Sequence, residues 1–71
     1  MPDIAQKIRK LRLLHEYTQE YVAEYTGISI RTYRNIETGR SSPTLQQLEG
    51  IAGALNCSLV QLLQFNAEIL P

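Results

Sequence analysis

Four hydroxyl residues in positions typical of helix starts divide the chain into short segments. A serine or threonine at an N-cap accepts a hydrogen bond from a backbone N–H of the first turn, and a glutamine three residues later completes a capping box. The last two candidates have that glutamine, at Gln47 and Gln61. Apolar residues recur at helical spacing between these signals, and no segment alternates as a strand would. The four candidates are Thr18, Ser29, Thr44 and Ser58.

The helix-ending signals fit the same division. Gly27, Gly39 and Asn56 stand where a residue in the left-handed conformation ends a helix. We therefore expect a second helix that runs to about Tyr25 and a third that runs to about Thr38. The apolar faces of helices 1, 4 and 5 consist of Ile4, Ile8 and Leu11, extended by Leu14; Leu45, Leu48, Ile51, Ala52 and Leu55; and Leu59, Leu62 and Leu63.

Length and composition predict that these helices form one small globular domain. The 71 residues are expected to form a single all-α domain of five helices over residues 1–71, with an apolar tail at 64–71. No apolar run approaches the ~20 residues of a membrane span, and no signal peptide is visible, so we expect a cytoplasmic protein. A single cysteine, Cys57, excludes an intramolecular disulfide and a multi-cysteine metal site. No cofactor and no enzymatic activity are expected.

The charges are balanced in number but not in position. Seven basic and seven acidic residues give no net charge, which by itself speaks against a nucleic-acid partner. However, residues 1–40 hold all seven basic residues against five acidic ones, and residues 41–71 hold only two acidic ones. A chain of this kind can present a positive face to phosphate while it stays neutral overall. The basic residues are Lys7, Arg9, Lys10, Arg12, Arg31, Arg34 and Arg40.

Residues 18–38 have the features of two helices that meet at a sharp angle. Ala23 is small enough to let another helix cross closely, and Gly27 supplies the backbone freedom for a tight turn. A pair of helices joined by a short turn with glycine is typical of the DNA-binding helix-turn-helix. An ordinary helical hairpin in a small bundle is the alternative.

The outer face of the third helix carries side chains that can read bases. At ~100° per residue, Arg31, Arg34 and Thr38 point to one side, and Ile30 and Asn35 flank them. Arginine pairs well with guanine, asparagine with adenine, and an apolar side chain with the thymine methyl group. Plain solubility is the other explanation for two exposed arginines. Arg34 can also turn toward a phosphate instead of a base.

The segment TQEYVAEYTGISIRTYRNIETGRSSPTLQQLEGIAGALNCSLVQLL resembles the Cro and phage-repressor (XRE-type) helix-turn-helix family of bacterial and phage transcriptional regulators. The likeness extends from about Ile4 to Leu63. It implies a lambda-repressor-like fold whose third helix, residues 29–38, enters the major groove. Its most specific positions are Thr18-Gln19, Ala23, Gly27, Ile36-Glu37-x-Gly39, Pro43, Leu48, Ile51-Ala52 and Leu55.

The resemblance also implies roles for individual residues. It implies an ion pair between Arg12 and Glu37 that links the first helix to the end of the third. This pair is expected to hold the third helix in place rather than to contact DNA. One departure is Glu16, which stands where the family often has a helix-ending glycine. The base-facing set is Ile30, Arg31, Arg34 and Asn35, and the phosphate-contacting set is Gln19, Thr38, Arg40 and Ser41.

The leading hypothesis is a sequence-specific repressor that binds double-stranded DNA as a homodimer. Surplus apolar residues in helix 5 and the tail predict the dimer contact, namely Leu63, Phe65, Ile69 and Leu70. The alternative is a protein-interaction module of the same fold, of the antitoxin or bridging-factor type, in which DNA binding is secondary. The candidate surface for such a partner consists of Leu13, Tyr21 and Tyr25, which are apolar at outer helix positions where the resembled family does not lead us to expect apolar residues.

Overall fold

A computed structural model of the protein describes residues 4–65. These residues form an all-helical domain, as predicted, and none of the helices is long and apolar enough to cross a bilayer. Two of the residues predicted to form a dimer contact, Ile69 and Leu70, lie outside the described range. The five helices are α1 (Ile4–Leu14), α2 (Gln19–Thr26), α3 (Ile30–Glu37), α4 (Leu45–Ala54) and α5 (Leu59–Gln64).

The helix starts agree with the predicted capping signals. Each of the four hydroxyl side chains accepts a hydrogen bond from the backbone N–H three residues later, and the capping boxes of α4 and α5 are complete. The ends differ by one residue: α2 extends to Thr26, and α3 stops at Glu37 with Thr38 as its C-cap. Local side-chain chemistry therefore accounts for where these helices begin.

The core forms where α2 packs against both α3 and α4, while α1 packs against α3 and α5. Ala23 is buried in α2, and its small side chain suits a close crossing between helices. The turn between α2 and α3 contains Gly27 at φ 79°, in the left-handed region. The largest fully buried side chains are Tyr33, Ile8, Ile36, Ile51, Leu55, Leu62 and Val22.

Two residues of the predicted apolar faces of α1 and α4 are instead exposed. Leu14 is 54% exposed because the buried arc of α1 is centred on Ala5, Ile8 and Arg12, and Leu14 lies ~200° beyond Arg12 around the helix. Leu45 is 64% exposed because it is the first residue of α4 and precedes the part of the helix that packs on the core. In both helices the apolar stripe read from the sequence is longer than the surface that is buried.

A glycine in α4 allows a close helix contact. A β-carbon at Gly50 would lie 3.4 Å from Cγ2 of Thr26, near the lower limit of ordinary contact, so the position faces α2 rather than solvent alone. The same atom at Gly53 would lie 3.8 Å from the ring of Tyr25. Gly50 therefore belongs to the packing between α2 and α4.

The connection after α1 contains an unfavourable backbone conformation. Glu16, which stands where the family that the sequence resembles often has glycine, adopts φ 60° in the left-handed region. For a residue with a β-carbon, that conformation costs roughly 1–2 kcal/mol. The side chain of Glu16 is exposed, so nothing in its burial offsets this cost.

We predict that Glu16→Gly stabilises the protein. Relief of the strain outweighs the extra entropy of glycine in the unfolded chain, for a net gain of about 0.5–1 kcal/mol. For a domain of this size, the melting temperature should rise by roughly 4 °C. Thermal unfolding followed by circular dichroism measures it. Glu49→Gly, the same change at an exposed position inside α4, should lower the melting temperature instead. A lower melting temperature for Glu16→Gly would contradict the strain argument.

Candidate nucleic-acid interface

The residues predicted to face bases all lie on α3, but they differ in their exposure to solvent. Arg31 and Arg34 are exposed on its outer side. Asn35 is half-buried, and Ile30 is half-buried with its side chain packed against the core. The two arginines are therefore the most accessible members of this set.

The residues predicted to contact phosphate lie around the C-terminal half of α3. Gln19 is the first residue of α2 and is half-buried. After α3, the backbone N–H groups of Arg40 and Ser41 both donate to the carbonyl of Asn35, at 2.9 and 3.2 Å. These bonds fold the loop back onto the end of α3, and both residues are exposed there. Thr38 caps α3, and its hydroxyl donates to the carbonyl of Arg34.

The structure brings Arg12 and Glu37 together in a bidentate ion pair. Nε and Nη2 of Arg12 donate to the two carboxylate oxygens, each at 2.9 Å, and the side chains are 11% and 3% exposed. Nη1 of Arg12 donates to the carbonyl of Tyr17 at 2.8 Å. Glu37 also accepts from the hydroxyl of Tyr33 and from Nε2 of Gln19. The pair thus joins α1, α2 and α3.

These hydrogen bonds decide the protonation of the buried carboxylate. Burial favours the neutral acid, but the bonds donated by Arg12, Tyr33 and Gln19 outweigh it and hold the pKa of Glu37 below its usual 4.5. Burial, together with the carboxylate that its hydroxyl contacts, raises the pKa of Tyr33. Glu37 is therefore ionised at neutral pH, and its charge is neutralised inside the protein.

Two contacts were not foreseen from the sequence. Tyr33 stands four residues before Glu37 and hence one helical turn away, so its spacing on α3 could have indicated this contact. Glu20 does not belong to the predicted site, yet its carboxylate lies 3.3 Å from Nη2 of Arg34. That pair joins residues 14 positions apart on different helices, so no local spacing in the sequence predicts it.

Two short helices at a tight glycine turn, the second with an exposed basic face, define a helix-turn-helix domain. In agreement, a family model described as Helix-turn-helix matches residues 8–62. The chain belongs to the Cro and phage-repressor (XRE-type) helix-turn-helix family, as its sequence predicted.

Individual relatives support the same assignment. The chain is 34% identical over 59 residues to the cryptic phage CTXphi transcriptional repressor RstR of Vibrio cholerae serotype O1, covering 83% of this chain and 53% of that protein. It is 33% identical over 60 residues to the competence pilus inhibition repressor of Acinetobacter baylyi, covering 84% and 54%. The chain thus spans about half the length of these relatives.

A solved structure has the same fold. The solution structure of the DNA-binding domain of the P22 C2 repressor (1–76) superposes with a TM-score of 0.82, covering 94% of this chain and 97% of that one. The sequence identity is 24%, so this likeness concerns the fold.

We predict that Glu37→Gln destabilises the protein, and that the loss depends on pH. Removal of one partner from a buried ion pair typically costs ~3–5 kcal/mol, because the other charge is left uncompensated. The folded-state pKa of Glu37 is lowered, so its contribution is complete above the unfolded value of about 4.5 and is lost as pH falls through the lower folded value. The difference from wild type should therefore be largest near neutral pH and should shrink below pH 4.5. Urea unfolding across this range measures it.

The matched control is Glu49→Gln, which removes an exposed carboxylate from α4. It should change the free energy of unfolding little at any pH. If the gap between wild type and Glu37→Gln stayed constant down to pH 3, the ionised carboxylate would not be the source of the stability.

Proposed function

We propose that the protein is a sequence-specific repressor that binds double-stranded DNA with α3 in the major groove. The observation that carries this proposal is the distribution of charge on α3. Its two arginines point outward, while its single acid, Glu37, is turned inward and neutralised by Arg12. The helix therefore offers donors to base edges without presenting its own carboxylate to DNA.

The surrounding residues suit contacts with the sugar–phosphate backbone. Arg40 and Ser41 are exposed on the loop after α3, and Gln19 begins α2. Such contacts fix the register of a protein on the duplex, whereas base contacts supply specificity. Repression by occupancy of an operator is supported by the two relatives described as repressors. The proposed place of action is the cytoplasm.

Binding as a homodimer is part of this proposal. α5 exposes Val60 and Leu63, and Phe65 follows it half-buried. Exposed apolar side chains on a small domain are candidates for a contact between copies. Two copies would read half-sites ~34 Å apart on one face of the duplex.

Base reading predicts losses that depend on DNA sequence. An operator is first selected with wild-type protein from a random DNA library. Arg31→Ala and Asn35→Ala should then each weaken operator binding by about 1–3 kcal/mol, with little effect on random DNA, because a bidentate base contact discriminates by that amount. Each loss should map to one base pair per half-site. Fluorescence anisotropy titrations measure both affinities.

Arg40→Ala is the control for a phosphate contact. It should weaken binding to both DNAs alike and lower the salt dependence by about one unit of slope. Equal losses on operator and random DNA for Arg31→Ala and Asn35→Ala would mean that α3 supplies charge but does not read sequence. Failure of wild-type protein to bind DNA at low salt would contradict the proposed function itself.

The proposed dimer contact predicts that Leu63→Glu yields a monomer. A carboxylate in an apolar contact must be desolvated without a partner, which opposes association. Sedimentation on a two-half-site operator should show one bound copy in place of two at equal concentration. Leu14→Glu, a like change at an exposed leucine on α1, is the control and should keep two copies. Unchanged pairing of Leu63→Glu would move the contact elsewhere.

An aromatic row favours a second candidate function, binding of a protein partner. The rings of Tyr17 and Tyr21 have centroids 4.6 Å apart, and those of Tyr21 and Tyr25 are 6.2 Å apart. Tyr21, Tyr25 and Leu13 are exposed. This role would lead if wild-type protein passed through a column of random DNA at low salt without retention.

A further inference from the structure

Arg34 is exposed on α3, yet its guanidinium is bound to α2. Its Nε donates to Oε1 of Gln19 at 3.3 Å, and its Nη2 donates to Oε2 of Glu20 at 3.3 Å. The side chains of Arg34 and Glu20 are 53% and 67% exposed, so the pair adds little stability. Its significance lies in the orientation that it gives to the arginine.

The orientation of Gln19 is set from inside the protein. Its Nε2 donates to Oε1 of Glu37 at 3.0 Å. A carboxylate can only accept hydrogen bonds, so the amide nitrogen must face Glu37 and the amide oxygen must face away from it. That oxygen meets Arg34, whose guanidinium can only donate. The buried ion pair of Arg12 and Glu37 therefore orients Gln19, and Gln19 in turn orients Arg34.

The two acceptors occupy one edge of the guanidinium. Nε and Nη2 point in the same direction along the side of the group, and Gln19 and Glu20 take these two positions. The guanidinium has five N–H donors in a fixed plane. Within residues 4–65, the hydrogen bonds described do not use the tip of the guanidinium, which consists of one N–H from each Nη atom. This tip is directed away from α2. Two parallel donors of this kind match O6 and N7 of guanine.

We propose that Glu20 is a positioning residue that directs Arg34 toward a guanine and away from phosphate. The proposal rests on the proposed DNA-binding function. For Arg34 to swing toward the DNA backbone, it would have to leave both Gln19 and Glu20. The carboxylate of Glu20 would in addition repel a phosphate that approached the same guanidinium. An end-on contact with a base edge keeps both acceptors in place.

The test compares base preference, not affinity alone. Wild type, Arg34→Ala, Glu20→Ala and the double variant are each assayed on the selected operator and on operators altered at single base pairs. Arg34→Ala should abolish the preference for one G·C pair per half-site, a preference of about fivefold to more than a hundredfold. Glu20→Ala should reduce the preference at that same pair by about threefold to tenfold. In the Arg34→Ala background, Glu20→Ala should change nothing further at that position.

Two further variants separate orientation from charge. Glu24→Gln removes an exposed carboxylate one turn along α2, and it should leave the base preference unchanged even if affinity for all DNA rises. Glu20→Gln keeps an acceptor oxygen and should retain part of the preference. If Glu20→Ala altered affinity for every DNA equally and left the G·C preference intact, Glu20 would contribute charge only and the proposal would be overturned. Wild-type protein without any sequence preference would instead overturn the proposed function.

Discussion

The bidentate pair between Arg12 and Glu37 fixes the end of α3 relative to α1. Taking two charges out of water is costly, and the cost is recovered only where the geometry is good and the remaining donors and acceptors are satisfied. Here the carboxylate accepts from Arg12, Tyr33 and Gln19, and the guanidinium also reaches the carbonyl of Tyr17. The orientation of α3 is therefore set by directional hydrogen bonds as well as by apolar packing.

From this pair a chain of hydrogen bonds runs outward to the surface. Glu37 accepts from Gln19, which accepts from Arg34, which is paired with Glu20. Side-chain exposure rises along this chain of hydrogen bonds, from 3% for Glu37 to 67% for Glu20. Because solvent screens the outer contacts more than the inner ones, the strongest electrostatic contacts of this chain lie in the core and the weakest lie at the surface.

The sequence predicts the helix starts well because the capping chemistry is local. It predicts burial less well, as Leu14 and Leu45 show. A periodic apolar stripe shows which side of a helix is buried only when all the buried residues are apolar. In α1 the buried side includes Arg12, so the apolar residues alone misplace it. The partners of Gln19 and Glu20 could not be predicted, because they depend on how two side chains from different helices meet. The family resemblance supplied the pair of Arg12 and Glu37, which spacing alone would not give.

Tyr33 has a consequence for how this molecule can be observed. The chain contains no tryptophan, so its near-ultraviolet absorption and circular dichroism come mainly from four tyrosines. Three of them lie in the row on and before α2, whereas Tyr33 is fully buried and bonded to Glu37. Asymmetric, fixed packing of a ring is what gives a near-ultraviolet signal, and the signal vanishes when tertiary packing loosens even if the helices persist. The protein thus carries an intrinsic optical reporter where α3 joins the core.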